Sequence, residues 1–236
     1  MAKKIAIMQP YIFPYLGYFQ LINIVDKFIF LDDVNFIKKG YIHRNEIPIG
    51  DSKYRFSIPL KKRSQNKLIN ETFIHDEKYN SWKLKFLKTI DTQYSSAPNF
   101  RSIKDLIEDV LCSEEVQISK LSARSIQKTC KYLDIDSVFK FSSEVNQNNK
   151  LSGQSKIIDI CLTEKAEKYY NLAGGKDLYN HENFNRNQLS LNFIKLQDVK
   201  YLRDRSKHHP YISILDLLMY QTKSEIQPLL NAYETF

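Results

Sequence analysis

The stretch KKIAIMQPYIFPYLGYFQLINIVDKFIFLDD, Lys3–Asp33, leaves the chain few ways to begin folding. KKIAIMQ is a short apolar run with β-branched residues and predicts a strand. Pro10 and Pro14 then forbid a continuous helix, because each fixes φ and removes a backbone donor. Leu16, Phe19, Leu21, Ile22 and Val25 recur at roughly helical spacing. KFIFLDDVNF is apolar to Leu31 and acidic immediately after, as a second strand would be. Strand, loop, helix, strand is a βαβ opening, and it predicts a parallel pair with a crossover helix.

The rest of the chain fits an α/β fold with a mainly helical middle. GYIHRNEIPIGDSKYRFSIPLKK reads as a hairpin, with Asn45–Ile49 and Tyr54–Leu60 flanking the turn signal GDSK. NKLINETFIHD is a further strand candidate. SWKLKFLKTIDTQYSSA predicts a helix with Trp82, Leu84, Phe86, Leu87 and Ile90 on its apolar stripe. Two more helices follow, so residues 80–133 form a helical segment, read as an insertion or cap within a single domain of 236 residues. VFKFSSEV is a strand and GQSKIIDICLTEKA a helix. KYYNLAGGKDLYN is a strand running into a glycine turn, LSLNFIKLQ an alternating strand, and ISILDLLMY and IQPLLNAY two terminal helices.

Composition narrows the class. The net charge of +8 favours anionic partners such as nucleotides, nucleic acid or a membrane surface, although a coding bias toward Lys, Asn and Ile also accounts for it. Fifteen Tyr and 14 Phe imply many buried rings, or a site that grips planar ligands. Cys112, Cys130 and Cys161 are few, odd in number and far apart, which argues against a disulfide scaffold. Gln9 and Pro10 interrupt the apolar run behind MAKK, so no signal peptide is expected. No run approaches the ~20 apolar residues of a spanning helix. The expectation is a cytoplasmic protein without membrane insertion.

Ligands of open parallel sheets sit beyond the carboxyl ends of the strands. The loop after the first strand and LDDVNFIKKG after the second would share that edge, giving Gln9, Tyr11, Asp32, Asp33, Lys38 and Lys39 as site candidates. Adjacent Asp32 and Asp33 would face opposite ways on a strand, one for chemistry and one for a turn; a solvated turn pair is the alternative. Lys38, Lys39, His43 and Arg44 lie within seven residues. The cations can hold a diphosphate, with Arg the better fork, or line a basic hairpin surface. His43, at its unperturbed pKa, can shuttle a proton or simply pack. LAGGKDLY can present N–H groups of Gly174 and Gly175 to a phosphate, with Lys176 adding charge, but it lacks Walker A spacing. His208 and His209 alone do not make a metal site. Cys161, mid-helix among apolar residues, reads as a small buried hydrophobe.

MQPYIFPYLGYFQLINIVDKFIFLDDVNFIKKGYIHRNEI as a whole resembles the WbqC-like family of bacterial polysaccharide-cluster proteins. IIDIC, YNLAGGKDLY and PYISILDLLMY continue the resemblance in order toward the C-terminus. Asn35, Tyr41, His43 and Arg203 depart from the residues usual at those places. The resemblance implies a transferase of O-antigen or related surface-glycan biosynthesis, acylating or aminoacylating the amine of a nucleotide-linked amino sugar. Its partners would be that sugar and an activated acyl or aminoacyl donor, with aminoacyl-tRNA one such donor; no cofactor is specified.

On this reading Asp33, Asp32 or His43 takes the proton of the attacking amine. Lys38, Lys39 and Arg44 bind the diphosphate, and Tyr11, Phe13 and Tyr18 stack on base or sugar. Gln9 and Asn45 fix hydroxyls, and amides near Gly174–Gly175 hold the oxyanion. A second reading is an ATP-dependent, adenylate-forming amide ligase resembling HIGH-type nucleotidyltransferases, whose two histidines fall where this chain has none. A third is a non-enzymatic binding module for glycan or nucleic acid, against which stands the scatter of Lys and Arg among acids.

Overall fold

The computed structural model describes residues 3–145, 150–197 and 211–236. The opening forms as expected: β1 (Lys4–Met8), α1 (Leu16–Ile24) and β2 (Lys27–Phe30), with β1 and β2 parallel and Ile5 beside Lys27. A hairpin follows, β3 (Arg44–Ile49) and β4 (Ser52–Ser57). Gly50 turns it with φ of 54°, a left-handed conformation that suits glycine. Helices α2 (Asp76–Tyr94), α3 (Phe100–Leu111) and α4 (Ile118–Tyr132) make the helical middle. Then come β5 (Val138–Phe141), the short α5 (Ser142–Val145), α6 (Gly153–Thr163) and β6 (Lys168–Leu172). A 3₁₀ turn (Ala173–Leu178), α7 (His181–Arg186), β7 (Ser190–Leu196), α8 (Ile214–Tyr220), α9 (Lys223–Leu230) and β8 (Tyr233–Thr235) complete it.

The main sheet has the order β5-β2-β1-β6-β7-β8, parallel except for the antiparallel β8. Alternation along the strands buries both faces. Ala6, Phe28, Phe30 and Tyr170 point into one core, shared with α1, α3, α4 and α9. Ile5, Ile7, Ile29 and Tyr169 point into the other, closed by α6 and α7. The apolar faces of the helical middle thus belong to the same core as the sheet.

Three local expectations need correction. NKLINETFIHD forms no strand. Its amides at Ile69 and Asn70 bond back to Val34 and Asp32, but the turn at Leu68–Glu71 breaks the run, leaving only isolated bridges. VFKFSSEV is strand only to Phe141, because Ser142 starts a helical turn. Leu84 is not on the apolar stripe of α2: it lies 67% exposed, while Phe86, Ile90 and Tyr94 are buried. At about 100° per residue, Leu84 falls on the face opposite Phe86.

The chain leaves β1 toward β2 and β5 on one side, and β6 and β7 lie on the other. The crevice beyond the carboxyl ends of β1 and β6 is therefore the switch point at which open α/β sheets bind ligands.

Candidate functional site

The Pro-aromatic loop is fastened from three distant elements. Asn45, on β3 and fully buried, donates through Nδ2 to the carbonyls of Ile12 (3.2 Å) and Phe13 (2.6 Å). Its Oδ1 accepts from the Glu46 amide at 2.8 Å. Ser213 Oγ donates to the Phe13 carbonyl at 2.8 Å, and the Phe13 amide donates to Ser125 Oγ on α4 at 2.9 Å. This web holds Phe13 at a φ of 43°, a conformation that costs a non-glycine residue of order 1–3 kcal/mol. Phe13 itself is fully buried in the core.

So fastened, the loop lines a cleft of about 1040 Å³ at the switch point. One wall is Met8, Gln9, Tyr11, Tyr15 and Tyr18; the other is Asn171–Gly175 and Tyr179, with Lys195 and Glu234 along one side. Tyr11 stacks on Tyr41 (centroids 5.2 Å apart) and meets Tyr18 edge-on (6.1 Å), while Tyr15 meets Tyr211 edge-on (5.1 Å). Burial pushes the hydroxyls of Tyr11 and Tyr15 well above their ordinary range, so both stay protonated and can donate. Among the described residues the Gln9 carboxamide has no hydrogen-bond partner, and Lys195 has no ion pair.

Gly17 sets the place of Tyr15. A Cβ at position 17 would lie 2.5 Å from Tyr15 Cε2. Alanine ordinarily favours a helix over glycine by about 1 kcal/mol. Here overpacking of roughly 1–3 kcal/mol opposes that gain. Gly17→Ala is expected to lower the melting temperature and to move Tyr15, read as a changed tyrosine fluorescence. An unchanged or raised melting temperature would contradict this packing.

A second cleft, of about 560 Å³, lies beyond β2 and β5 and is lined by Asp32, Asp33, Asn70, Glu71, Lys120, Ser143 and Glu144 among others. Asp32 caps α5, its Oδ1 accepting from the Ser143 amide (3.1 Å) and its Oδ2 from Ser143 Oγ (2.9 Å). Burial pushes the Asp32 carboxyl upward, and the bonds from Ser143 and Ser142 oppose that. Asp33 pairs with Lys156 at 2.5 Å, both side chains almost wholly buried. The Ser142 hydroxyl reaches both carboxylates, and its single proton goes to one at a time.

The residues expected to share one site thus divide. Gln9, Tyr11, Tyr18, Gly174 and Gly175 line the large cleft; Asp32 and Asp33 line the other. The two carboxylates do not face opposite ways, since both turn to Ser142. Tyr18 is nearly buried and donates to the Gln9 carbonyl. Asn45 faces the loop rather than either cleft, because it gives the Ile12 carbonyl its donor and shares the Phe13 carbonyl with Ser213. Arg44 donates to the Lys39 carbonyl and lies over the Tyr41 ring. Lys38 and Lys39 are exposed beside the cleft mouth. Lys176 sits 5.4 Å from the Phe236 ring centroid, outside the cleft lining.

His43 is 1% exposed against Phe36, with neither ring nitrogen bonded among the described residues. Burial, aided by Arg63 and Arg44, pulls its pKa down to about 4, so it is neutral at pH 7 rather than at its unperturbed value. Cys130 and Cys161 are buried, and burial raises both thiols. His208, His209 and Arg203 lie outside the described residues.

Sequence reasoning missed Asn171, Tyr179, Lys195, Glu234 and Tyr211. The ordering of LSLNFIKLQ as a strand was available, but not its place two strands from β1.

The family model for the WbqC-like protein family matches residues 9–228. The uncharacterized protein Rv1507c of Mycobacterium tuberculosis is 24% identical over 219 residues, covering 92% of this chain and 93% of that protein. No solved structure matches. No helix among the described residues is long and apolar enough to cross a membrane.

Proposed function

The chain belongs to the WbqC-like protein family, and from that premise we propose that it is a transferase of surface-glycan biosynthesis, acylating or aminoacylating the amine of a nucleotide-linked amino sugar. The observation that carries this reading is the tyrosine-lined cleft at the switch point of the sheet. Rings with protonated hydroxyls suit a ligand that is planar at one end and rich in hydroxyls at the other. Tyr11 stacks on the base or sugar, and the Gln9 carboxamide fixes a hydroxyl. Lys195 takes the diphosphate in the cleft, with Lys38, Lys39 and Arg44 supplying positive charge from its mouth. The backbone at Gly174 and Gly175 lies where the acyl carbonyl would approach; a side chain at Gly174 would meet nothing within 4 Å, so that wall is open.

The amine attacks the acyl carbon, its bond to the donor's leaving group breaks, and the ammonium proton must pass to a base. Carboxylates border both clefts: Glu234 in the tyrosine-lined one, and Asp32, Asp33, Glu71 and Glu144 in its neighbour, of which Asp33 is the candidate base. Asp33 is held by Lys156, whereas Glu234 has no ion pair among the described residues. Glu234→Gln and Asp33→Asn separate them: the variant of the acceptor loses transfer and keeps sugar binding.

A nucleic-acid module is less well supported, because many cations are matched by acids. Lys104 meets Asp91, Arg124 and Lys128 meet Asp109, and Lys27 and Lys140 meet Glu164. The test is incubation with nucleotide-linked amino sugars and a panel of acyl and aminoacyl donors, aminoacyl-tRNA included. The expected result is a sugar heavier by one acyl or aminoacyl group. Folded protein that yields no product with any donor would sink the reading.

A further inference from the structure

The mouth of the tyrosine-lined cleft is unusually apolar for exposed surface. Of the ten large apolar residues most exposed among the described residues, four border this one cleft: Ile37 (50%), Tyr41 (47%), Leu178 (71%) and Tyr211 (57%). Scattered exposed apolar residues need no explanation, but a cluster around one opening does. Two of the four, Ile37 and Tyr41, bracket a tight turn. The Gly40 amide bonds the Ile37 carbonyl at 3.0 Å, and a Cβ on residue 40 would come within 3.1 Å of Ile37 Cβ. The tip of that turn is Lys38–Lys39, both exposed. Ile37 and Tyr41 thus bracket two adjacent cations, neither of which has an ion pair among the described residues.

Apolar and tyrosine side chains that enter an interface, next to lysines that reach anionic headgroups, are the chemistry of a peripheral membrane contact. We propose that the cleft mouth docks on an anionic bilayer, with Ile37, Tyr41, Leu178 and Tyr211 in the headgroup–acyl boundary and Lys38 and Lys39 on the headgroups. The occupant is identified by charge: an apolar rim alone would suit a second copy of the chain, but two adjacent unpaired lysines would repel their own copies across a symmetric contact. The net charge of +8 adds long-range attraction to the same surface. The contact is peripheral and turns the cleft toward the membrane, whichever reaction the cleft performs.

Vesicle cosedimentation with the full chain tests it, at about 0.15 M salt so that weak surface attraction is screened. Vesicles of phosphatidylglycerol with phosphatidylcholine should bind the protein, and phosphatidylcholine alone should bind it far less. Ile37→Glu with Leu178→Glu, and separately Lys38→Glu with Lys39→Glu, should each weaken binding about tenfold or more. Leu84→Glu, which changes an equally exposed leucine on α2 away from the cleft, should bind as the unaltered protein does. Folded protein that ignores anionic vesicles, or binding that survives both rim variants, would overturn the proposal. So would a dimer in sedimentation velocity that the rim variants dissolve, since a second copy would then occupy this face.

Discussion

Lys156→Met is expected to destabilise the fold by roughly 3–5 kcal/mol, because it leaves the Asp33 carboxylate buried without its counter-charge. Lys156 and Asp33 are 4% and 5% exposed, and the ammonium also reaches the Asp33 carbonyl at 3.3 Å. Ser142 alone cannot satisfy the carboxylate, because its one proton is contested by Asp32. For a chain of this size the loss corresponds to a melting temperature lower by about 10 °C. Asp33→Leu combined with Lys156→Met removes both charges and should recover most of the loss. Calorimetry on the single and double variants checks both statements. A Lys156→Met protein as stable as the unaltered one would show that water, not lysine, compensates Asp33.

Acid should weaken the protein through His43 before its salt-bridged carboxylates titrate. The imidazole is buried and neutral, with a folded pKa of about 4 against an ordinary value of 6.5. Between those values the unfolded chain binds the proton and the folded chain does not, so stability falls as pH falls. The contribution is complete above about pH 6.5 and is lost progressively toward pH 4, to a total of about 3 kcal/mol. Glu164, Asp76 and Asp109, whose lysine and arginine partners hold their carboxyls low, lose their contributions only at still lower pH. His43→Phe should abolish the slope in that window, since a ring of similar shape remains against Phe36. Denaturant titrations at several pH values between 4 and 7 read the slope; the same slope in His43→Phe would assign it elsewhere.

Local pattern made the opening unit legible. Two strands flanking a proline-broken loop and an apolar helix admit few arrangements, and β1, α1 and β2 follow it closely. The same pattern put Gln9, Tyr11 and Tyr18 at a strand's carboxyl end, where they line the large cleft. What could not be read was long-range. Nothing in KYYNL or LSLNFIKLQ announces that Lys4 lies beside Lys168, or that Tyr170 lies beside Asn192. The cleft's far wall, with Asn171, Tyr179 and Lys195, follows from that pairing. Direction was equally hidden. Asn45 and Asp32 have the chemistry of site residues, yet a buried carbonyl or an open helix end claims each of them. A side chain's partner within the fold decides whether it is left over for a ligand, and spacing along the chain does not reveal that partner.

The most direct test of the account is calorimetric titration of the protein with a nucleotide-linked amino sugar, alongside Tyr11→Ala and Lys195→Glu. The account predicts saturable binding that both substitutions weaken about tenfold or more, as expected for loss of a stacking ring and reversal of a phosphate-facing charge. Binding unchanged in both variants would place the sugar outside the tyrosine-lined cleft and contradict the account.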